Sequence, residues 1–458
     1  MQRRRAEALF FDSDRLAAAG DAEGAEAALR KALTLSPGFA EAWANLALLL
    51  DRRGAADEAE SCYRRAIVLA PRHTRIHLNF GASLAQRKRF TEAEAAYREA
   101  LRLDPGLLAA WSNLGVLYAC MKREDEAEQC YRTALSLDGG HANAKFNLSY
   151  LLLRQGRYEE GWACMEARDW YASLEQRLPC PRWRGEEVAG KALLIGFEAG
   201  LGDMIQMSRY AAVMKAKGTA RIGLICHPPL KALFATLAGV DQLIGFDEPL
   251  PNTRYDFWTP PFSLPYHCGT RLETIPAELP YLRAAPDRIA RWAPQLPQQG
   301  LRVGLVWKGN RGFENDTDRS LPSLRLLAPL WEVPGIRFVS LQKGAGEDEA
   351  ADPPPGQPLV ELGSRLGDLA DTAAVIASLD LVISVDTAVA HLAGALAKPC
   401  WLLLPYYKTD WRWLEDREDS PWYPKALRLF RQSTMGDWPS VVERLRTSLA
   451  VLADNCPN

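Results

Sequence analysis

The chain has 458 residues, 48% of them hydrophobic and 24% charged. That balance excludes a disordered or fibrous protein, and the length predicts two or three domains rather than one core. A formal net charge of −2 gives no electrostatic case for nucleic acid or for an anionic membrane surface.

The first residues, MQRRRAEALFFDSDRLAAAG, are basic, but their apolar run stops at Asp12, too short for a signal-peptide core. No apolar stretch reaches the ~18 residues that a spanning helix needs. The expectation is a cytoplasmic protein that is not membrane-embedded. Nine cysteines, Cys62, Cys120, Cys130, Cys164, Cys180, Cys226, Cys268, Cys400 and Cys456, are scattered without a CxxC pair. They read as reduced, mostly buried thiols rather than a disulfide frame or a zinc site.

A period of 34 residues organises the first part of the chain. Pro37, Pro71, Pro105 and Gly139 share one column. Ala25, Ala59, Ala93 and Ala127 share a second, Ala32, Ala66, Ala100 and Ala134 a third, and Tyr63, Tyr97 and Tyr131 a fourth. Small residues at a helix crossing, large ones between helices and a helix-stopping residue at each end predict helix–turn–helix units. The pattern resembles the tetratricopeptide repeat, which implies an all-α superhelix. Units start at Ala6, Ala40, Thr74 and Leu108, and a fifth, from Ala142, decays after Gly161 and Met165. The repeat region is expected to span residues 1–175.

Asn45, Asn79, Asn113 and Asn147 recur on the first helix of successive units. Asparagine is a mediocre helix former, so local propensity does not select it there. A side-chain amide offers both donor and acceptor, so a ladder of amides suits an extended peptide backbone. The alternative is that each amide braces the neighbouring repeat. The ladder is similar to that in the repeats of O-GlcNAc transferase, and this resemblance implies a protein or peptide acceptor in the groove. No basic stripe accompanies it, which argues against nucleic acid there.

From Trp183 onward the period changes to short β-branched runs between helical stretches. Residues 192–196, 221–226 and 255–258 are predicted strands of one sheet. Residues 302–307, 337–341, 381–384, 401–404 and 427–430 are predicted strands of a second. A Pro-rich connection at 285–299 separates them, so the α/β region divides into an acceptor-side half, 176–290, and a nucleotide-sugar-side half, 291–458. Such halves place their strand-end loops around a shared cleft. A final helix near 438–453 is expected to cross back and tie the halves together.

Two loops carry the chemistry. Glu198-Ala-Gly-Leu-Gly-Asp203 follows a strand and opens a helix, where Gly200 and Gly202 allow close approach of backbone to a ligand or a crossing helix. Asp203 is either an acid that stabilises the first helical turn or a general base that takes a proton from an attacking hydroxyl. In the second loop, Ser384-Val-Asp-Thr-Ala-Val-Ala-His391, Thr387 is a natural N-cap and the free amides of Ala388 and Val389 suit a diphosphate. His391, one turn on, either bonds a phosphate or ribose or packs in the core. Asp386 accepts from sugar hydroxyls or helps cap the helix.

The blocks GFEAGLGDMIQMSRY, RVGLVWKGN, DRSLP, VSLQ, LGDLADTAAVIASLDLVISVDTAVAHLAGAL and DWRWLEDREDSPWYP resemble glycosyltransferase family 9, the heptosyltransferases. The wording is closer still to bacterial tetratricopeptide-fused proteins of that type. The resemblance implies a GT-B fold of two facing Rossmann-like domains, and inverting, metal-independent transfer from a nucleotide sugar with no further cofactor. It places Asp203 as the base, and Arg319 where the family sets a lysine against the diphosphate. Thr387, Ala388 and Val389 fall at the helix end that holds the same group. Ala388 replaces the family's usual glycine but keeps the amide. Lys308 and Asn310 stand in a strand-end loop on the donor side, where Lys308 meets either phosphate or solvent.

Asp316-Thr-Asp318 matches a D-x-D metal signature but sits in a polar turn. Trp411-Arg412-Trp413 either stacks on a base or sugar ring or forms a rigid packed loop. The sequence therefore predicts a glycosyltransferase acting on a protein hydroxyl. The alternatives are a lipid-linked or polysaccharide acceptor, or an interaction scaffold with a degenerate nucleotide-sugar domain.

Overall fold

The computed structural model describes residues 1–356 and 358–455; Cys456 lies outside them. The chain forms two compact units, Met1–Leu148 and Ser149–Asn458.

The first unit is built from antiparallel helix pairs. These are α1 (Gln2–Ala18) with α2 (Ala22–Leu35), α3 (Ala40–Arg52) with α4 (Ala56–Leu69), α5 (Thr74–Gln86) with α6 (Phe90–Leu103), and α7 (Leu108–Cys120) with α8 (Glu124–Leu137). α1 begins four residues before the Ala6 that the period marks, because the helix extends past its buried stripe. A fifth first helix, α9 (Ala142–Arg154), crosses the division between the units, and α10 (Tyr158–Met165) follows it. Residues 149–175, counted with the repeats on sequence grounds, therefore pack within the α/β unit.

The repeat columns have physical causes. Gly81 and Gly115 sit on the rings of Tyr97 and Tyr131, where an added Cβ would lie 2.7 and 2.6 Å from ring carbons. A small residue is thus paired with a large one across these two helix pairs. Trp43, His77 and Trp111 each bond through a ring nitrogen, at 2.9 Å, to the carbonyls of Pro37, Pro71 and Pro105. That contact fixes the angle at which each unit is entered. The turn after the first helix needs a left-handed residue: Gly54 supplies it at φ 82°, whereas Lys88 and Lys122 adopt it at φ 59° and 61°.

The second unit holds two parallel sheets. The first, in the order β3-β2-β1-β4, comprises β1 (Ala192–Ile195), β2 (Arg221–Cys226), β3 (Gln242–Gly245) and β4 (Phe257–Thr259). The second, in the order β10-β9-β8-β5-β6-β7, comprises β5 (Leu301–Val306), β6 (Ile336–Ser340), β7 (Val360–Glu361), β8 (Leu381–Val385), β9 (Cys400–Leu404) and β10 (Leu427–Arg431). The strands in the middle of each sheet are buried on both faces, which is why they read as continuous apolar runs. The strands without a sequence prediction, β3 and β7, are edge strands that carry Gln242 and Glu361 and are only partly buried. The final helix, Trp438–Asp454, does not tie the halves together. Its Val441, Val442, Leu445 and Leu449 are buried in the core of the six-stranded sheet, with Leu324 and Leu327. Its apolar stripe is spent on its own half.

The eight described cysteines form no disulfide, and five of them are buried. Among the described residues, no helix is long and apolar enough to cross a membrane.

Candidate functional site

β1 ends in the first glycine loop, and the helix Leu201–Ser208 starts from it. β8 ends in the second loop, and the helix Ala388–Ala395 starts from that. The two helices cross with almost no space between them. A Cβ on Gly202 would lie 2.7 Å from the His391 ring and 3.4 Å from Ala388 Cα. Gly202 is therefore glycine because a helix from the other half needs its place. The contact sets the two strand-end loops side by side.

Asp203 stands in the first turn of its helix. Its Oδ2 accepts from the Gly200 amide at 2.7 Å, and its Oδ1 accepts from Arg412. A quarter of its side chain remains exposed. Burial pushes its carboxyl above the usual range; Arg412 and the Gly200 amide oppose that rise, and Asp410 adds to it.

Thr387 caps the second helix, its Oγ1 accepting from Val389 N at 3.3 Å. The amide of Val389 is thus engaged by its own cap, unlike the free amide expected from the sequence. Asp386 accepts from Trp413 Nε1 at 2.9 Å. Burial, and then the neighbouring Asp410, push its carboxyl up to about 6, while Trp413, Arg319 and Arg412 act against the shift. His391 is 5% exposed, its Nδ1 is 2.8 Å from the Tyr423 hydroxyl, and its ring lies 5.2 Å from that of Trp413. Burial holds its pKa well below the usual value, so it is neutral at physiological pH.

Arg319 follows the turn that contains Asp316. Its Nε donates to Asp316 Oδ1 at 3.3 Å, and its guanidinium lies 4.3 Å from the Phe313 ring centroid. Asp316 also accepts from Ser320 Oγ at 2.9 Å. Asn315 ties this turn to the next loop, donating to the carbonyls of Tyr407 and Lys408 at 3.2 and 3.1 Å. Among the described residues, no group of three His, Cys, Asp or Glu side chains is placed to hold a metal. Lys308 pairs with Glu349, which also accepts from Leu324 N at 2.6 Å, so its charge is balanced inside its own half. Asn310 is exposed and accepts from Gly312 N at 2.9 Å, as an Asx turn does.

The residues that sequence reasoning missed are buried arginines. Arg412 joins Asp203 and Gln206 of one half to Asp410 of the other. Arg209 donates to the carbonyls of Trp422 and Pro276 at 2.7 and 3.2 Å. Arg168, just past α10, pairs with Glu198 at 2.5 Å, both side chains having no exposure. A charged residue set among tryptophans, as in Trp411-Arg412-Trp413, was the available signal. Both tryptophans are buried, so the segment is a packed loop and not a stacking platform.

In the first unit, the four asparagines are half-buried on α3, α5, α7 and α9. Asn45 Nδ2 donates to Asp14 at 3.1 Å, and Asn113 shares a hydrogen bond with Tyr97. At those two positions the amide braces the preceding repeat.

Comparison with known proteins agrees with this layout. The description "Cilia and flagella-associated protein 70 middle TPR-like domain" matches residues 13–127, and a tetratricopeptide-repeat model matches 123–178. Glycosyltransferase family 9 (heptosyltransferase) matches residues 335–404, a segment that contains Asp386, Thr387 and His391 but neither Asp203 nor Arg319. Protein FlbA of Caulobacter vibrioides is 29% identical over 326 residues, covering 65% of this chain and 53% of that protein. The chain thus spans about half the length of this relative. Among solved structures, pilF of Pseudomonas aeruginosa is 25% identical, covers 36% of this chain and 77% of its own, and gives a TM-score of 0.34. TTC0263, a tetratricopeptide-repeat protein of Thermus thermophilus, is 21% identical, with coverage of 38% and 92% and a TM-score of 0.32. YrrB, described as having an unusual peptide-binding site, is 19% identical, with coverage of 37% and 91% and a TM-score of 0.30. The chain therefore joins tetratricopeptide-like repeats in its N-terminal region to a glycosyltransferase-family-9-like region toward its C-terminus.

Proposed function

We propose that the α/β unit is a glycosyltransferase of GT-B type that moves a sugar from a nucleotide sugar to a hydroxyl of a protein, which the repeats bind. The observation that carries this reading is the juxtaposition of the two strand-end loops. Gly202 packs on His391 and Ala388, so an acid at one helix start lies beside the capped start of the other. The family-9 match over β6 to β9 supports a nucleotide-sugar donor on that side.

In this reading the acceptor hydroxyl attacks the anomeric carbon from the face opposite the leaving group, which inverts the centre. Asp203 takes the hydroxyl proton, and the nucleoside diphosphate departs with the bonding electron pair. Arg319 and the backbone at Thr387 and Ala388 receive the charge that develops on the diphosphate, so no metal is needed. Asp386 accepts from sugar hydroxyls, and Gly200 and Asn310 border the donor. His391 and Lys308 act by packing and by internal pairing.

The test is a thermal-shift panel on the full-length chain with UDP, GDP, CDP, CMP and their sugar conjugates, run with and without EDTA. A nucleotide at 100 times its Kd stabilises by about 2.7 kcal/mol, and the shift is expected to persist in EDTA. A panel in which no nucleotide raises Tm would overturn the donor assignment.

A further inference from the structure

The side chain of Arg412 is 5% exposed, and each of its nitrogens is used. Nε donates to Gln206, Nη2 to Asp203, and Nη1 to both oxygens of Asp410 at 2.9 and 2.8 Å. Its guanidinium lies 4.5 Å from the Trp411 ring and 5.4 Å from that of Phe262. The loop that carries it is itself clamped. Trp162 of α10 meets Trp411 edge-on at 5.2 Å, Trp422 Nε1 donates to the Tyr158 hydroxyl at 3.0 Å, and Arg154 pairs with Glu415 at 3.1 Å. A planar fork held at this many points has no freedom to follow a mobile carboxylate; the carboxylate follows it.

We propose that Arg412 is a positioning residue for Asp203, fixing the rotamer in which that carboxylate meets the acceptor and presenting it there as an anion. The catalytic half of this statement rests on the reading of Asp203 as the base; the positioning half does not. The groups that act on Asp203 come from every element around it. Arg412 and Asp410 come from the clamped loop and Tyr150 from α9, while the neutral His391 lies against Gly202. Burial favours the protonated acid, Asp410 adds to that, and Arg412 is the cation that opposes both. Removing Arg412 and removing the charge of Asp410 must therefore displace the titration of Asp203 in opposite directions. A merely structural role for the loop predicts no such opposition.

The experiment follows aspartate carboxyl carbons by NMR on the full-length chain labelled with 13Cγ-aspartate, with Asp203 identified by the resonance missing from Asp203→Asn. Arg412→Gln is expected to raise the midpoint of Asp203 by about one pH unit or more, because its neutral amide leaves the buried acid uncompensated. Arg412→Lys, which keeps the charge, is expected to stay within about half a unit of wild type. Asp410→Asn keeps an oxygen for the Arg412 amide, now bonded at 3.0 Å, and is expected to lower the midpoint. An unchanged midpoint in Arg412→Gln, or displacement of Arg412→Gln and Asp410→Asn in the same direction, would overturn the proposal. Should Arg412→Gln fail to fold, the downward displacement in Asp410→Asn decides the matter, and its absence is fatal. If the midpoints move as stated while Asp203→Asn turns over its donor at the wild-type rate, the base reading falls and the positioning role stands.

Discussion

Replacing Arg168 with leucine isolates the contact that anchors the first glycine loop. Arg168 Nε and Nη2 bond Glu198 at 2.5 and 3.1 Å, and its remaining bonds run to Met165 O at 3.0 Å, Glu166 at 2.9 Å and Ser263 at 3.1 Å. Glu198 opens the loop that ends at Asp203 and also accepts from Phe262 N at 3.2 Å. Arg168→Leu leaves that carboxylate buried without its cation, which costs about 3–5 kcal/mol. At roughly 2–3 °C per kcal/mol for a unit of this size, Tm should fall by about 6–15 °C. Differential scanning calorimetry of the full-length chain measures this directly. The double variant Arg168→Leu, Glu198→Leu removes both charges and should recover at least about 2 kcal/mol of the loss. For the same reason a chain beginning at residue 176, which lacks Arg168, Tyr158 and Trp162, should melt well below the intact protein. A loss under about 1 kcal/mol in Arg168→Leu, or no recovery in the double variant, would refute the idea that this pair anchors the loop.

Four further outcomes are expected. Burial and Asp410 push the carboxyl of Asp386 up to about 6, and the anion is the stronger acceptor for the donor's sugar hydroxyls. Affinity for a nucleotide sugar should therefore fall as pH falls through that value, and the calorimetric trend should vanish in Asp386→Asn. Asn79→Ala with Asn147→Ala should leave Tm within about 1 °C while weakening the peptide acceptor by about 0.5–1.5 kcal/mol per lost bond. Asn113→Ala should lower Tm instead, because Tyr97, 2% exposed, loses its partner. Lys122→Gly relieves a left-handed backbone at φ 61° and should raise stability by about 0.5–1 kcal/mol in urea titration.

The repeat was legible because its constraints are local and recur every 34 residues. A glycine facing a tyrosine, at Gly81 and Gly115, and a proline carbonyl facing a ring nitrogen, at Trp43, His77 and Trp111, leave their mark in successive units. The central strands were legible for a related reason, since burial on both faces leaves an apolar run bounded by turns. β3 and β7 were not, because they are short edge strands, only partly buried, that carry Gln242 and Glu361. Single long-range contacts also left no trace in spacing. Nothing in the sequence near Asp203 announces an arginine 209 positions away, and Glu198 reads as a loop residue until Arg168 is seen against it. His391 was ambiguous because an imidazole beside a glycine-rich helix start suits a phosphate as well as a tyrosine. The neighbours it packs on, Tyr423 and Trp413, arrive from the Asp410–Tyr423 loop.

The most direct test of the central claim is the turnover of Asp203→Asn, measured beside its calorimetric affinity for the same nucleotide sugar. The variant keeps the size and polarity of the side chain and loses only the base. Turnover should fall by roughly 10²–10⁴-fold while donor affinity stays within about threefold of wild type. Turnover close to the wild-type rate at unchanged affinity would contradict the account and leave Asp203 as an acid that stabilises a helix start.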